Sequence, residues 1–476
     1  MKPEAGARGC VGKNGGQMGI SDFTTGMMRG IGMGDPVIRL GVTGLSRAGK
    51  TVFITSLVAN LMDRGRMTAL RAAADGSIKA AWLQPQPDDT IPRFEFENHL
   101  AALTGPEPYW PEGTRHVSEL RLSLRVQPSG LFSGWRKPQT VHLDIIDYPG
   151  EWLLDLRLME RSYDQWSEEV LARMPGRPGA GDYMAALEAT DLSARLDEQT
   201  AQSLAAAYTA HLQAARAAGW SDCTPGRFLL PGEMAGSPAL TFAPLPPVEG
   251  KSPLRREFAR RYEAYKSRIV KPFFRDHFSR IDRQVVLVDV LGAIHAGPPA
   301  LEDLRRTMAD ILSAFNPGRT GWLAQLLGLR RVERILFAAT KADHLHHTQH
   351  QRLANIATAL LRDARDRADF AGARTEAMAI AALRATTEAM IEQNGIELPA
   401  VRGMLMDGRR AAFYPGELPS DPAQLLVPAR EGRHEWLDGD YAAMSFRPAA
   451  DTARAGDGPP HIRLDRAAEF LIGDRL

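Results

Sequence analysis

The sequence predicts an α/β fold, a mostly parallel sheet interrupted by a large helical insertion, and three observations predict it. The β-rich run Val37-Ile38-Arg39-Leu40-Gly41-Val42-Thr43 leads through a glycine-rich loop into an apolar helix from Val52 to Leu61, a strand-loop-helix unit. Val285-Val286-Leu287-Val288-Asp289-Val290 and Ile335-Leu336-Phe337-Ala338-Ala339 are nearly continuous apolar runs, as strands covered on both faces of a parallel sheet require. Between these two groups of strand signals, residues 155–280 read mostly as helix.

Taken in order, residues 1–18 are rich in Gly and Lys/Arg with almost no large apolar side chain, so they read as a disordered leader, and Met18 is an alternative start. Ile20, Phe23, Met27, Met28 and Ile31 share one helix face. With only Arg29 as a cation on the polar face, that helix is expected to dock on the main domain rather than lie on a membrane. Residues 19–154 form the first part of the main domain in this reading. Within it, Leu120 to Val126 and Thr140 to Ile146 alternate with period two and predict a hairpin whose long tip holds Pro128-Ser129-Gly130 and Ser133-Gly134.

The insertion, residues 155–280, is expected to contain an Ala-rich helix from Ala201 to Ala218 and an aromatic one from Phe258 to Phe278, with a Pro-rich loop from Ala243 to Pro253 between them. The main domain resumes over 281–413, where Met378-Ala379-Ile380-Ala381 is a further strand of the parallel kind. Residues 414–476 read as an extension packed on the core, with Ile462-Arg463-Leu464 as a strand and Ala467 to Leu471 as a helix.

Bulk properties exclude several classes. A 44% apolar and 24% charged composition is that of a globular protein, and a net charge of +1 over 476 residues gives no electrostatic reason to expect nucleic acid. Cys10 and Cys223 are too few for a disulfide framework or an all-cysteine metal site, which fits a reducing compartment and makes the cytoplasm the expected location. No run reaches the roughly 20 apolar residues of a membrane span. Peripheral membrane association stays open.

Chemistry concentrates in three short segments. Gly44-Leu45-Ser46-Arg47-Ala48-Gly49-Lys50-Thr51 fits G-x-x-x-x-G-K-T in its required strand-to-helix context. Its backbone N–H groups, from Gly44 through Ser46, Arg47, Ala48 and Gly49, would cradle phosphates at a helix N-terminus, where the dipole favours negative charge. Lys50 would reach the β- and γ-phosphates and the Thr51 hydroxyl would ligate Mg²⁺. The cation also needs a carboxylate at a neighbouring strand end, and Asp147 of Asp147-Tyr148-Pro149-Gly150 supplies it, with the Gly150 N–H near the γ-phosphate. Asp289-Val290-Leu291-Gly292 has the same D-x-x-G spacing and is the rival. Chain order favours Asp147, which ends the second strand of a hairpin after the P-loop; Asp144 reads as structural.

The third segment, Thr340-Lys341-Ala342-Asp343, ends the strand from Ile335 to Ala339, where open α/β sheets bind ligands. It matches the T/N-K-x-D form in which Asp accepts hydrogen bonds from guanine N1–H and the 2-amino group while the Lys stem packs on the base. Adenine presents no such donors, so guanine is favoured, with ATP as the alternative. Ala382, in Ala381-Ala382-Leu383-Arg384, occupies the place of the loop whose amide contacts the guanine oxygen.

The order P-loop, D-x-x-G, T-K-x-D and small-residue loop resembles a Ras-like or translation-factor-like GTPase domain of the P-loop NTPase fold. More closely, the chain resembles the YcjX family of bacterial P-loop NTPases. Val42 to Thr51, Asp147-Tyr148-Pro149-Gly150-Glu151-Trp152, Leu287-Val288-Asp289, Phe337 to His344 and Pro460 to Asp465 carry that resemblance across nearly the whole chain after the leader. It implies a cytoplasmic, stress-associated protein that binds GTP and GDP, with a Ras-like core interrupted by a helical domain.

Catalysis is read as slow. Where Ras-like enzymes often place Gln after D-x-x-G to orient water, this chain has Glu151, an acceptor only when ionised. Arg47 is expected to point to solvent or a partner more than to the transition state. Thr114 is the best-placed switch threonine, with Thr90 and Thr104 as alternatives. His344, His346, His347 and His350 read as a solvated helix start rather than a metal site. The leading expectation is a regulatory Mg-GTP/GDP switch acting through the helical insertion on an unidentified protein partner. A non-hydrolysing nucleotide-binding scaffold and an ATPase are the alternatives.

Overall fold

A computed structural model describes residues 35–45, 48–113, 116–127, 137–313, 332–362, 372–433, 437, 445–450 and 456–476. The leader, the helix expected over 20–33, Ser46, Arg47, Thr114 and the hairpin tip at 128–136 lie outside the described residues. Contacts divide the chain at Pro36, and Val37–Leu476 form one unit.

That unit is built on a seven-stranded sheet of order β2-β3-β4-β1-β5-β6-β7. Its strands are β1 (Val37–Gly44), β2 (Ile78–Gln84), β3 (Ser118–Val126), β4 (Gln139–Asp147), β5 (Arg283–Val288), β6 (Arg334–Ala339) and β7 (Arg374–Ala379). β4, β1, β5, β6 and β7 run parallel, and β3 pairs antiparallel with both β2 and β4. The register places Val42 beside Asp147, Gly44 beside Leu287, Val288 beside Ala339 and Ala339 beside Ala379. Five parallel strands therefore end together, and the loops that follow them converge on one edge of the sheet.

Side-chain alternation divides the central strands between two cores. Leu40, Val42, Val285, Leu287, Leu336 and Ala338 pack on one face with helix α1 (Lys50–Met62) and the C-terminal helix at Leu464–Ile472. Val286, Val288, Ile335, Phe337 and Ala339 pack on the other. On that second face sit the helices that connect β4 to β5, over residues 151–280, together with Val290–His295, Pro298–Ser313 and His350–Leu360. The helical segment thus shares a continuous core with the sheet. Its interior is aromatic: Trp166 stacks on Tyr262 at 5.2 Å and meets Phe242 edge-on at 5.5 Å.

Most expected elements appear within a few residues of their predicted ends. The Ala-rich helix is α2 (Glu198–Ala217), capped by the Asp197 carboxylate, which accepts the Thr200 N–H at 2.8 Å. The aromatic helix starts at Pro253 behind an Ser252 cap and is interrupted by a π-turn over Lys266–Val270. Three features depart from expectation. β2 was not foreseen. Residues 386–413 form a separate antiparallel sheet of β8 (Thr386–Gln393), β9 (Ile396–Met404) and β10 (Arg410–Phe413). Ile462 makes one isolated bridge to Ala381 instead of a strand, because Arg463 turns into the left-handed region at φ 57° and the last helix starts at Leu464. No helix among the described residues is long and apolar enough to cross a membrane.

Candidate functional site

The phosphate-side geometry follows from the junction of β1 and α1. Gly49 adopts φ +84° and ψ 31°, a left-handed conformation that L side chains rarely accept, and so turns the chain from loop into helix. Gly49, the residue before α1, has no side chain with which to cap the helix N-terminus. Lys50 Nζ donates to the Gly44 carbonyl at 2.9 Å, folding back over the loop, and Thr51 is buried one residue on.

Asp147 is only 1% exposed, at the end of β4 and in register with Val42, immediately beside the loop. Gly150 lies against the P-loop itself: a Cβ there would fall 2.4 Å from the Gly44 carbonyl oxygen and 3.1 Å from the Leu45 nitrogen. The rival D-x-x-G has other work. Asp289 Oδ1 accepts the Gly292 N–H at 2.9 Å as an N-cap of the helix Val290–His295, and its other oxygen pairs with Lys341 Nζ. Asp144 is fully buried and held bidentately by Arg121 at 2.6 and 2.8 Å.

On the base side, the Thr340 N–H donates to the Val288 carbonyl at 3.0 Å, tying the motif to the end of β5. Lys341 takes a left-handed φ of 61°. Asp343 is 5% exposed; its Oδ2 accepts the Ala385 N–H at 2.9 Å, and its carbonyl accepts the Thr386 hydroxyl. The carboxylate is thereby fixed in orientation by the loop that contains Ala382.

These pieces line one cleft of about 590 Å³. Ala48, Gly49, Lys50 and Thr51 from the P-loop, Thr340, Lys341 and Asp343 from the T-K-x-D segment, Ala382 and Glu151 all line it. Gly44, Asp147 and Gly150 lie behind this surface, in the strand ends and the loop that support it. Of the alternative switch threonines, Thr90 bonds to Asp88 and Thr104 to the Leu100 carbonyl, and neither lines the cleft.

Sequence reasoning missed three side chains of the cleft, Trp110, Phe446 and Arg216. Trp110 and Phe446 wall the cleft, joined by a 2.7 Å bond from the indole N–H to the Phe446 carbonyl. The segment at 460–462 clasps the base loop through Ala381 and Ile462, which exchange bonds of 3.1 and 2.8 Å, and through the Arg384 N–H to the Pro460 carbonyl at 2.7 Å. Arg216, near the end of α2, lines the cleft, and its Nη2 lies 2.9 Å from Glu151 Oε1. No short pattern marks Trp110, Phe446 or Arg216, because they are brought in by tertiary folding.

The histidine run divides. His350 is buried and bonds the Leu345 carbonyl, and His344 packs edge-on to Phe446. His346 and His347 approach Glu388 of β8 closely enough for the three donor atoms to lie within 4.8 Å of one another.

Known proteins resolve the family. The YcjX-like family, DUF463, matches residues 38–476. This chain belongs to that family. A protein named Ras-like GTPase YcjX from Escherichia coli is 38% identical over 460 residues, spanning 93% of this chain and 96% of the relative. One of the same name from Shewanella oneidensis is 34% identical over 470 residues, at 93% and 95% coverage. In this YcjX-like chain the Ras-like P-loop fold accounts for the convergence of β1, β4, β5 and β6 on the cleft.

Proposed function

We propose that this YcjX-like protein binds GTP and GDP with Mg²⁺ in the cleft between Lys50 and Asp343, and hydrolyses GTP slowly. The observation that carries the reading is one cleft with a P-loop helix start at one end and an oriented, buried carboxylate at the other. The names of both relatives agree with it.

The donor set fits the cation. Thr51 and Asp147 offer a hydroxyl and a carboxylate from adjacent chain segments beside the loop, hard oxygen ligands of the kind Mg²⁺ takes. Bound there, the ion would neutralise charge on the β- and γ-phosphates. Lys50 would leave the Gly44 carbonyl for those oxygens, and the amides from Gly44 to Thr51, Ser46 and Arg47 included, would supply the rest of the cradle. Thr114 remains the proposed switch threonine. Gly150, packed on the P-loop backbone, would report the γ-phosphate to Glu151 and the helix that follows.

Base selection follows from Asp343. Its anchored carboxylate would accept two guanine donors, whereas adenine would leave it buried beside an unmatched edge. Asp343→Asn presents a donor that matches the 2-oxo group of xanthine. The variant is expected to lose GDP affinity by roughly 100-fold or more and to gain XDP, measured by competition against a fluorescent nucleotide. Unchanged GDP affinity in Asp343→Asn would remove this residue from base recognition.

A further inference from the structure

Arg216 is an unusual residue for a helix of the insertion. It is the penultimate residue of the 20-residue helix Glu198–Ala217, yet it lines the same cleft as Gly49, Lys50 and Thr51. Its partner is Glu151, the residue directly after the D-x-x-G glycine. The 2.9 Å contact is an ion pair without the alignment of a hydrogen bond: both Glu151 carboxylate oxygens and Arg216 Nε are buried without a hydrogen-bond partner among the described residues. A guanidinium has five donors in a rigid fork, and one loosely aligned carboxylate uses little of that capacity. Both residues line the cleft, and with Glu151 4% exposed and Arg216 29% the cation is the more accessible member of the pair.

We propose that Arg216 is a catalytic arginine supplied in cis by the helical insertion, with Glu151 as a positioning residue that holds the guanidinium beside the phosphate site. The inference rests on the GTP reading above. A γ-phosphate in the cleft offers the unsatisfied fork a better acceptor than Glu151 does. As water adds to Pγ, the bond from Pγ to the β,γ-bridging oxygen breaks and its electron pair leaves on GDP. The water's proton passes to the departing phosphate, so GTP and water give GDP and inorganic phosphate with nothing else consumed. Charge on the transferring group peaks at the transition state, where a fixed guanidinium contributes most. The pairing also accounts for an acidic residue at the position where a water-orienting Gln would be expected.

Single-turnover GTP hydrolysis of the full chain, wild type against Arg216→Ala and Arg216→Lys, tests this. Arg216→Ala is expected to slow hydrolysis by about 100-fold and Arg216→Lys nearly as much, since an ammonium lacks the planar fork. GDP affinity should change less than threefold in both, while stabilisation by GDP with aluminium fluoride, which mimics the transferring phosphoryl group, is lost. Millimolar guanidinium chloride should restore part of the Arg216→Ala rate, an effect a purely structural role would not show. Arg216→Lys keeps the charge and guards against a folding defect in the alanine variant. Arg216→Ala turning over within threefold of wild type, or binding aluminium fluoride with GDP as well as wild type does, would overturn the proposal. So would a wild type that binds GTP without hydrolysing it, a result that leaves the binding reading standing. A wild type that binds no guanine nucleotide would overturn both.

Discussion

Gly150 is where the site tolerates least. With the Gly44 carbonyl only 2.4 Å from where a Cβ would stand, Gly150→Ala must push the D-x-x-G loop off the P-loop backbone, and backbone has nowhere soft to yield. It should weaken GTP affinity at least about tenfold, read by fluorescent-nucleotide titration. The rival glycine provides the contrast. A Cβ on Gly292 meets the Asp289 carboxylate at 2.8 Å, so Gly292→Ala disturbs a helix cap and should cost about 1 kcal/mol of stability with little change in affinity. Equal loss of binding in both would undo the choice of Asp147 over Asp289. Asp155 makes a different prediction. It is buried, accepts the Gly226 N–H at 2.8 Å and bonds the Tyr265 hydroxyl, and burial pushes its carboxyl up to about 7. The native state keeps this proton through a range where the unfolded chain, with an ordinary Asp near 4, has released it. Asp155 therefore subtracts stability as pH rises from about 4 to 7, with a limiting slope of about 1.4 kcal/mol per unit. Asp155→Asn should gain on wild type across that window in pH-dependent thermal unfolding. A gap between the two that is constant with pH would contradict the raised carboxyl.

At the scale of elements, the short helix Glu151–Leu154 and the 3₁₀ turns over Asp155–Glu160 are tied to the insertion at several points. Trp152 donates from its indole N–H to the Leu230 carbonyl at 3.2 Å and is covered by the Arg227 guanidinium; Asp155 holds Gly226 and Tyr265; Glu151 meets Arg216. A change at Gly150 cannot move these residues without disturbing 216–230. Hydrogen exchange is thus expected to differ between GDP and a non-hydrolysable GTP analogue in 151–160 and in 216–230 together. A response in the first stretch with none in the second would sever the coupling. How legible each element was depended on the span of its signal. Strands β1, β5 and β6 announced themselves by unbroken apolar runs, because both their faces are covered. β8 and β9 carry exposed Met390 and Ile396 and many charges, so no apolar face betrayed them. Their local cue is the short Asn394-Gly395 turn, which takes left-handed φ of 56° and 76°. Arg216 could not be read at all: in sequence it is one more exposed-face cation on an alanine-rich helix, and only packing of the insertion on the sheet brings it to Glu151.

For the whole molecule, the decisive feature is that strands distant in sequence end at a common edge. Val42 pairs with Asp147, Gly44 with Leu287 and Val288 with Ala339, although these strands lie far apart along the chain. The C-terminal segment completes the arrangement by bonding the loop at 381–384 and, through the Asn60 side-chain amide to the Pro459 carbonyl at 3.1 Å, the P-loop helix. The P-loop and T-K-x-D sides of the cleft are accordingly held by one sheet and one closing strap, which favours preorganisation of the proposed nucleotide site over assembly on binding. Calorimetric titration of the full chain with GDP and with ADP, in the presence of Mg²⁺, addresses that site most directly. Binding of GDP at one site per chain, at least about 100-fold tighter than ADP, is the predicted result; equal affinity for the two nucleotides, or no heat with either, would contradict it.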